Sequence, residues 1–299
     1  MLTRLRQHAS RDGLDYQRVL TRYGIERLLA RLCRVEGGDR YALKGAMLFA
    51  TWDGFAARPT KDVDLLAHGD PSPDAIRALF AGACAISFPE DGVVFDPTTI
   101  VVDSVREDEI YQGVRLTVIG TLAAVRLSVQ VDLGFGDHVY PPSTSAVFPG
   151  ILAELPTATL LMYPPETVIA EKLEAMIRFG LRNSRLKDFY DLWALSRSRS
   201  HEFSLGTLVR AVDGTLRRRA TTVPAGPLVG LSSEFAAVVE RAGLWTGFLR
   251  RQPPPLTPPP FAQLQAALTL FLEPVLAARA YPEAARGTWD WVAGEWRSG

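Results

Sequence analysis

The spacing of apolar residues changes character near residue 155, and that change limits the fold more than any other feature of the chain. Before it, apolar and polar residues alternate in runs over 93–95, 99–105, 114–119 and 125–133. A period of two marks a sheet with one packed face and one open face. Runs over 41–43 and 62–66 predict two more strands. Helices are predicted over 16–34, where Val19, Leu20, Tyr23, Leu28, Leu29 and Leu32 share a face, and over 73–85. Gly37-Gly38-Asp39 ends the first of them. A short helix is predicted over 46–52, and a loop over 53–61. After residue 155 the period becomes helical over 168–179, 187–196, 203–212, 232–241 and 261–279. The expected fold class is α+β: a mixed sheet flanked by helices over residues 1–155, then a mainly helical C-terminal domain over 156–299.

Composition narrows the function classes. The chain has 299 residues, 47% apolar and 22% charged, so it has the make-up of a folded globular protein. Its 33 basic residues are balanced by 33 acidic ones, which excludes a global basic field for coating nucleic acid. A local basic cluster remains compatible with a nucleic-acid substrate. Cys33 and Cys84 sit in apolar company and read as buried free thiols of a cytoplasmic protein. The N-terminus lacks the apolar segment of a signal peptide, and no run of 18 apolar residues occurs, so no membrane span is expected.

Chemistry concentrates in a few places. In Asp62-Val63-Asp64-Leu65, strand geometry puts the two carboxylates on one face, roughly 7 Å apart. Such a pair repels unless a cation lies between, and Mg²⁺ prefers carboxylate and phosphate oxygens. In Val129-Gln130-Val131-Asp132-Leu133 the apolar residues face a core, while Gln130 and Asp132 face the other way. A neighbouring strand would bring Asp132 beside the pair. Three carboxylates can hold two metals for displacement at phosphorus. Asp137, in a glycine-flanked loop, is a rival for the third position. Gly45 follows a strand and precedes a helix, where backbone N–H groups can approach a triphosphate, and Lys44 adds a cation.

The helical half adds Ala170-Glu171-Lys172-Leu173-Glu174-Ala175, with Lys172 beside an apolar stripe, and Arg185-Leu186-Lys187-Asp188-Phe189-Tyr190-Asp191-Leu192. Asp188 and Asp191 are three apart and share a helix face. Asp188 is placed either to orient Lys172 or to cap its helix. Between 171 and 199 the basic residues Lys172, Arg178, Arg182, Arg185, Lys187, Arg197 and Arg199 outnumber the acids, and Arg217-Arg218-Arg219 follows. The bland reading of the triplet is an exposed helix face. Pro253–260 is a stiff spacer, read as a packed connector. The run from Thr288 to Trp296 is expected to dock a helix on the core, the alternative being a partner contact.

In this order, Leu43-Lys44-Gly45, Asp62-Val63-Asp64, Val131-Asp132-Leu133 and the two helical motifs resemble the DNA polymerase β-type nucleotidyltransferases, and more closely the AbiEii/AbiGii toxin family of toxin–antitoxin and phage-abortive systems. The match spans about residues 41–195. The resemblance implies a nucleotidyltransferase-type sheet and a helical domain with a cleft between them. It implies transfer of a nucleoside monophosphate from an NTP to an RNA acceptor, notably the tRNA 3′ end, with Mg²⁺ or Mn²⁺ as cofactor and a cognate antitoxin as partner. Asp62 and Asp64 would bind the metal, and Asp132 would complete the site and help activate the attacking hydroxyl. Lys44, Gly45, Ala46 and Lys172 would meet the triphosphate. Asp188 would position Lys172 or the acceptor, with Asp191 as its helper, and Arg185 and Lys187 would contact phosphates. The family often has Gly-Gly or Gly-Ser where this chain has Gly45-Ala46, which removes a hydroxyl contact and keeps the backbone ones. Two alternatives stay open: a nucleotide-sensing or partner-binding scaffold without turnover, and transfer to a small-molecule or protein hydroxyl.

Overall fold

A computed structural model of the chain describes residues 1–52, 60–108, 111–197, 202–251 and 253–298. Of the loop expected over 53–61, residues 53–59 lie outside the described residues, as does Arg199 of the basic strip. The chain divides into two compact units. The first comprises Met1–Thr51, Pro59–Asp137 and Thr144–Met162, and the second Trp52–Arg58, His138–Ser143 and Tyr163–Gly299.

The first unit holds helices α1 (Leu2–Arg11), α2 (Tyr16–Leu32) and α3 (Pro73–Ala85). Its strands are β1 (Tyr41–Lys44), β2 (Asp62–Ala67), β3 (Val93–Asp108), β4 (Tyr111–Leu122), β5 (Val125–Phe135), β6 (Thr144–Val147) and β7 (Thr159–Met162). They form one sheet in the order β3-β4-β5-β2-β1-β7-β6. The sheet is mixed: β2 runs parallel to β5 and β1 parallel to β7, and the remaining pairs are antiparallel. Val63, Leu65, Val129, Val131 and Leu133 are buried on one face. Helix α2 approaches that face closely because Gly24 has no side chain. A Cβ there would come within 3.1 Å of Val129 Cγ2.

Three details differ from the sequence reading. Helix α1 was not expected. Its polar composition leaves only Leu5 and Ala9 buried, too few to make an apolar stripe. The runs at 93–95 and 99–105 are one edge strand, β3, with a register shift between Asp96 and Val101. Pro97 has no N–H for a ladder, and an edge strand with a bulge tolerates it. Strands β6 and β7 have four residues each, too short for a period to show. Helix α2 is also buried nearly all round, including Glu26, Arg27 and Arg31. The Arg31 guanidinium donates to Asp91 Oδ2 at 2.7 Å and Oδ1 at 3.2 Å, and to the Val93 carbonyl at 2.9 Å.

The second unit holds α4 (Pro165–Phe179), α5 (Leu186–Ser196), α6 (Leu205–Arg218), α7 (Ser233–Arg241), α8 (Leu244–Arg251) and α9 (Phe261–Ala278), with a hairpin of β8 (Thr288–Asp290) and β9 (Glu295–Arg297). By length and composition α9 is a helix apolar enough to cross a membrane. Here one face of it is packed inside the unit, with Leu264, Leu268, Phe271, Leu272 and Val275 fully buried, while Leu270 is exposed. The Pro-rich connector lies against α5, where the Leu256 N–H donates to the Tyr190 hydroxyl at 3.2 Å. The C-terminal run docks as a hairpin, not as a helix. The Asp290 carboxylate accepts the N–H groups of Val292 and Ala293 at 2.8 and 3.0 Å, and Gly294 has φ +71°, so the chain turns there. Trp289 and Trp296 then pack on Phe271, with ring centres 4.8 and 5.9 Å away.

Candidate active site

The open face of the first unit's sheet carries the carboxylates. Strand β2 begins with Asp62-Val63-Asp64, and its alternation buries Val63 while leaving the two aspartates partly accessible. Parallel pairing with β5 places Asp64 opposite Asp132 and Asp62 opposite Gln130. Antiparallel pairing places Lys44 opposite Asp64 on the other side, and Arg115 opposite Asp132. One register line across four strands thus reads Lys44, Asp64, Asp132, Arg115. Asp62, Asp64 and Asp132 thus share one sheet face, with Asp64 and Asp132 as direct neighbours across β2 and β5 and Asp62 opposite Gln130.

Each is fixed by its surroundings. The Thr60 hydroxyl donates a short hydrogen bond to Asp62 Oδ1. The Asp64 carboxylate lies on the backbone of Gly45, which has φ +72°. A Cβ on Gly45 would stand 2.0 Å from Asp64 Oδ2. The glycine is therefore required twice, by its left-handed backbone and by the carboxylate above it. Asp132 is gripped by Arg115, whose Nε and Nη2 each donate at 2.8 Å to one of its oxygens. Gln130 Nε2 adds longer contacts at 3.3 and 3.4 Å. Lys44 Nζ donates to Asp137 Oδ2 at 2.6 Å. The ammonium lies beside Gly134, where a Cβ would come within 3.1 Å of it. Asp137 is thus engaged by Lys44, and Ala46 lies in the 3-10 turn Gly45–Thr51.

Among the described residues, no three of His, Cys, Asp and Glu gather around one ion-sized position. The Asp62–Asp64 pair nevertheless fits Mg²⁺ by donor chemistry. That ion takes hard oxygens, keeps several waters, and is commonly held by one or two carboxylates together with substrate phosphates.

In the second unit, Lys172 on α4 meets α5. Its Nζ donates to Asp188 Oδ1 at 2.6 Å and to Asp191 Oδ2 at 2.9 Å, and Arg185 Nε donates to Asp188 Oδ2 at 2.6 Å. Asp188 therefore orients Lys172, and α5 starts without a side-chain cap. Burial is the largest single influence on Asp188 and pushes its carboxyl up. The Lys172 ammonium, then the Arg185 guanidinium, the Lys172 hydrogen bond and Lys187 outweigh it and bring the value down to about 2. Burial likewise pulls Lys172 down, and Asp188 and Asp191 together more than reverse it, so Lys172 stays charged. Lys187 is exposed.

Sequence reasoning missed several partners. Arg219, read as part of an exposed triplet, turns inward: it donates to the buried Glu174 at 2.8 Å and pairs with Glu171 at 3.2 Å. The Thr221 hydroxyl donates to the same Glu174 at 2.6 Å. Arg115 was not singled out, although its place in the alternating run 114–119 put it on the polar face. Cys84 is buried as expected, whereas Cys33 is partly exposed.

The family described as nucleotidyl transferase AbiEii toxin, type IV toxin–antitoxin system, matches the chain over residues 27–267. Two solved structures from Helicobacter pylori are similar at 14% identity. One, described as a candidate nucleotidyltransferase, has a TM-score of 0.42, with 80% of this chain and 97% of that one covered. The other, JHP933, has a TM-score of 0.43, with 79% and 99% covered. No curated protein matches the chain.

Proposed function

Because the chain belongs to the AbiEii family of nucleotidyltransferase toxins of type IV toxin–antitoxin systems, we propose that it moves a nucleoside monophosphate from an NTP to the 3′ end of an RNA, with tRNA as the acceptor. Translation stops when that end is blocked. The enzyme acts in the cytoplasm and is countered by a cognate antitoxin, in a system that restrains phage. The observation that carries this reading is the alignment of Asp62, Asp64 and Asp132 on one sheet face.

Asp62 and Asp64 would hold Mg²⁺ or Mn²⁺. When bound, the metal neutralises charge on the triphosphate and on the departing pyrophosphate. Lys44, Gly45 and Ala46 lie at the end of β1 next to Asp64 and meet the phosphates. Asp132 takes the proton of the attacking hydroxyl. In the second unit, the Lys172–Asp188–Asp191 cluster holds α4 to α5, with Lys172 as the candidate phosphate cation. Arg185 and Lys187, at the start of α5, offer charge to phosphates.

The test is a transfer assay with Mg²⁺, each α-labelled NTP in turn and total RNA. Label is expected in tRNA-sized RNA with the native protein. A folded Asp62→Ala variant should lose it by orders of magnitude. Undiminished transfer by that variant would remove Asp62 from the site. Pyrophosphate release with cell extract but no label in RNA would redirect the acceptor to a small molecule or a protein.

A further inference from the structure

Lys44 ends β1, but its ammonium lies elsewhere. Strand β2 stands between β1 and β5 in the sheet. Lys44 Nζ nevertheless reaches the β5 side, where it donates to Asp137 Oδ2 at 2.6 Å. Lys44 is the register partner of Asp64, so its stem crosses the face of β2 that carries the carboxylates. Gly134 follows Asp132 by two residues on the same face of β5. A Cβ on Gly134 would come within 3.1 Å of Lys44 Nζ and 3.4 Å of Asp137 Oδ2. The ion pair is thus seated over a position that carries no side chain. The Lys44 side chain is 16% exposed and that of Asp137 4%. A flexible four-carbon stem is held at both ends, by β1 and by Asp137.

We propose that Asp137 is the positioning residue for Lys44: it holds the ammonium on the carboxylate face, where the triphosphate arrives, and it is not a metal ligand. Gly134 makes the room. This rests on the reading of Lys44 as a phosphate contact. A loose lysine gives up the rotamer freedom of its stem when it meets a phosphate, whereas a held one has already given it up on folding. A placed cation therefore binds the phosphate better, and displacing it by about 1 Å is costly. A carboxylate that served the metal would instead act independently of Lys44.

The experiment is calorimetric titration of the full chain with ATP, GTP, CTP and UTP in turn, each with Mg²⁺. Beside it runs a Mn²⁺ titration without nucleotide, read by electron paramagnetic resonance. Native protein is compared with Lys44→Met, Asp137→Asn, the double variant and Gly134→Ala, each checked for fold by circular dichroism. For the NTP that native protein binds most tightly, Lys44→Met is expected to weaken binding at least about tenfold, and Asp137→Asn about fivefold. The double variant should lie within about twofold of Lys44→Met. Mn²⁺ binding by Asp137→Asn should stay within about twofold of native. In the transfer assay Asp137→Asn should raise KM for the NTP and leave kcat within about twofold. Unchanged or tighter NTP binding by Asp137→Asn overturns the proposal, since the carboxylate would then be idle or would compete with phosphate for the ammonium. So do additive losses in the double variant, or a loss of Mn²⁺ affinity of about tenfold in Asp137→Asn. Should Asp137→Asn fail to fold, Gly134→Ala keeps both charges and displaces the ammonium. It is expected to weaken NTP binding about threefold, and native-like binding is the overturning result. Native-like NTP binding by Lys44→Met, or none by native protein, defeats the phosphate reading itself. Weakened binding by Lys44→Met beside native-like binding by Asp137→Asn defeats only this inference.

Discussion

Replacing Lys172 by Met tests the electrostatics of the second unit. The substitution keeps the length of the stem and removes the ammonium that stands between Asp188 and Asp191, which are 2% and 1% exposed. Two buried carboxylates then face each other with Arg185 on one of them. Breaking a buried ion pair on one side costs about 3–5 kcal/mol. Asp188 points the same way. Its fall from 3.8 to about 2 corresponds, at about 1.4 kcal/mol per pH unit, to roughly 2–3 kcal/mol of stability. The sign follows from the direction. A carboxyl held below its unfolded value stabilises above about pH 4, and loses that contribution as pH falls towards 2. The variant lacks most of this term. Its deficit should therefore be about 3–5 kcal/mol at pH 7, shrinking by about 1 kcal/mol at pH 3 and by about 2 kcal/mol at pH 2. All six tryptophans (Trp52, Trp193, Trp245, Trp289, Trp291 and Trp296) belong to the second unit, so urea unfolding followed by tryptophan fluorescence reads that unit. A deficit under about 1 kcal/mol at pH 7, or one that does not change with pH, would refute the reasoning.

Three further outcomes are expected. Gly45→Ala places a methyl on Asp64 Oδ2 and a side chain at φ +72°. It should cost at least about 1–2 kcal/mol and weaken Mn²⁺ binding, and unchanged melting together with unchanged binding would count against the close approach. Arg31→Met leaves the fully buried Asp91 without its guanidinium. Urea unfolding followed by circular dichroism should show a loss of about 3–5 kcal/mol, partly recovered by adding Asp91→Asn. Burial pushes the Cys84 thiol up to about 11, so alkylation of native protein at neutral pH should modify Cys33 first and Cys84 only on unfolding. Equal rates, followed by mass spectrometry, would contradict this.

Legibility of the chain depended on whether a feature is local. Asp62-Val63-Asp64 and Val131-Asp132-Leu133 declare their faces by alternation, because a strand's side chains follow a period of two whatever lies beside it. Helix α3 begins at Pro73 as predicted, capped by Ser72, and α5 begins one residue before the predicted 187, since capping and apolar spacing act within one turn. What stayed hidden was pairing. Nothing near Lys44 announces Asp137, which is 93 residues away, nor does Glu174 announce Arg219. These contacts are chosen by the fold after the strands and helices exist. The C-terminal hairpin was hidden for another reason: three-residue strands carry too few positions for a period, and their tryptophans suit a helix face equally well.

The order β3-β4-β5-β2-β1-β7-β6 has a consequence for synthesis. β1 and β2 leave the ribosome early, yet β1 finds its second neighbour only at Thr159–Met162, more than a hundred residues later. Any nascent or truncated chain ending before Thr159 carries β1 as a naked edge of apolar backbone, a template for pairing with other chains. The toxin's first unit is thus complete only after the whole of its own length has been translated. A frameshift or stop before that point should yield aggregated chain, not a small folded domain.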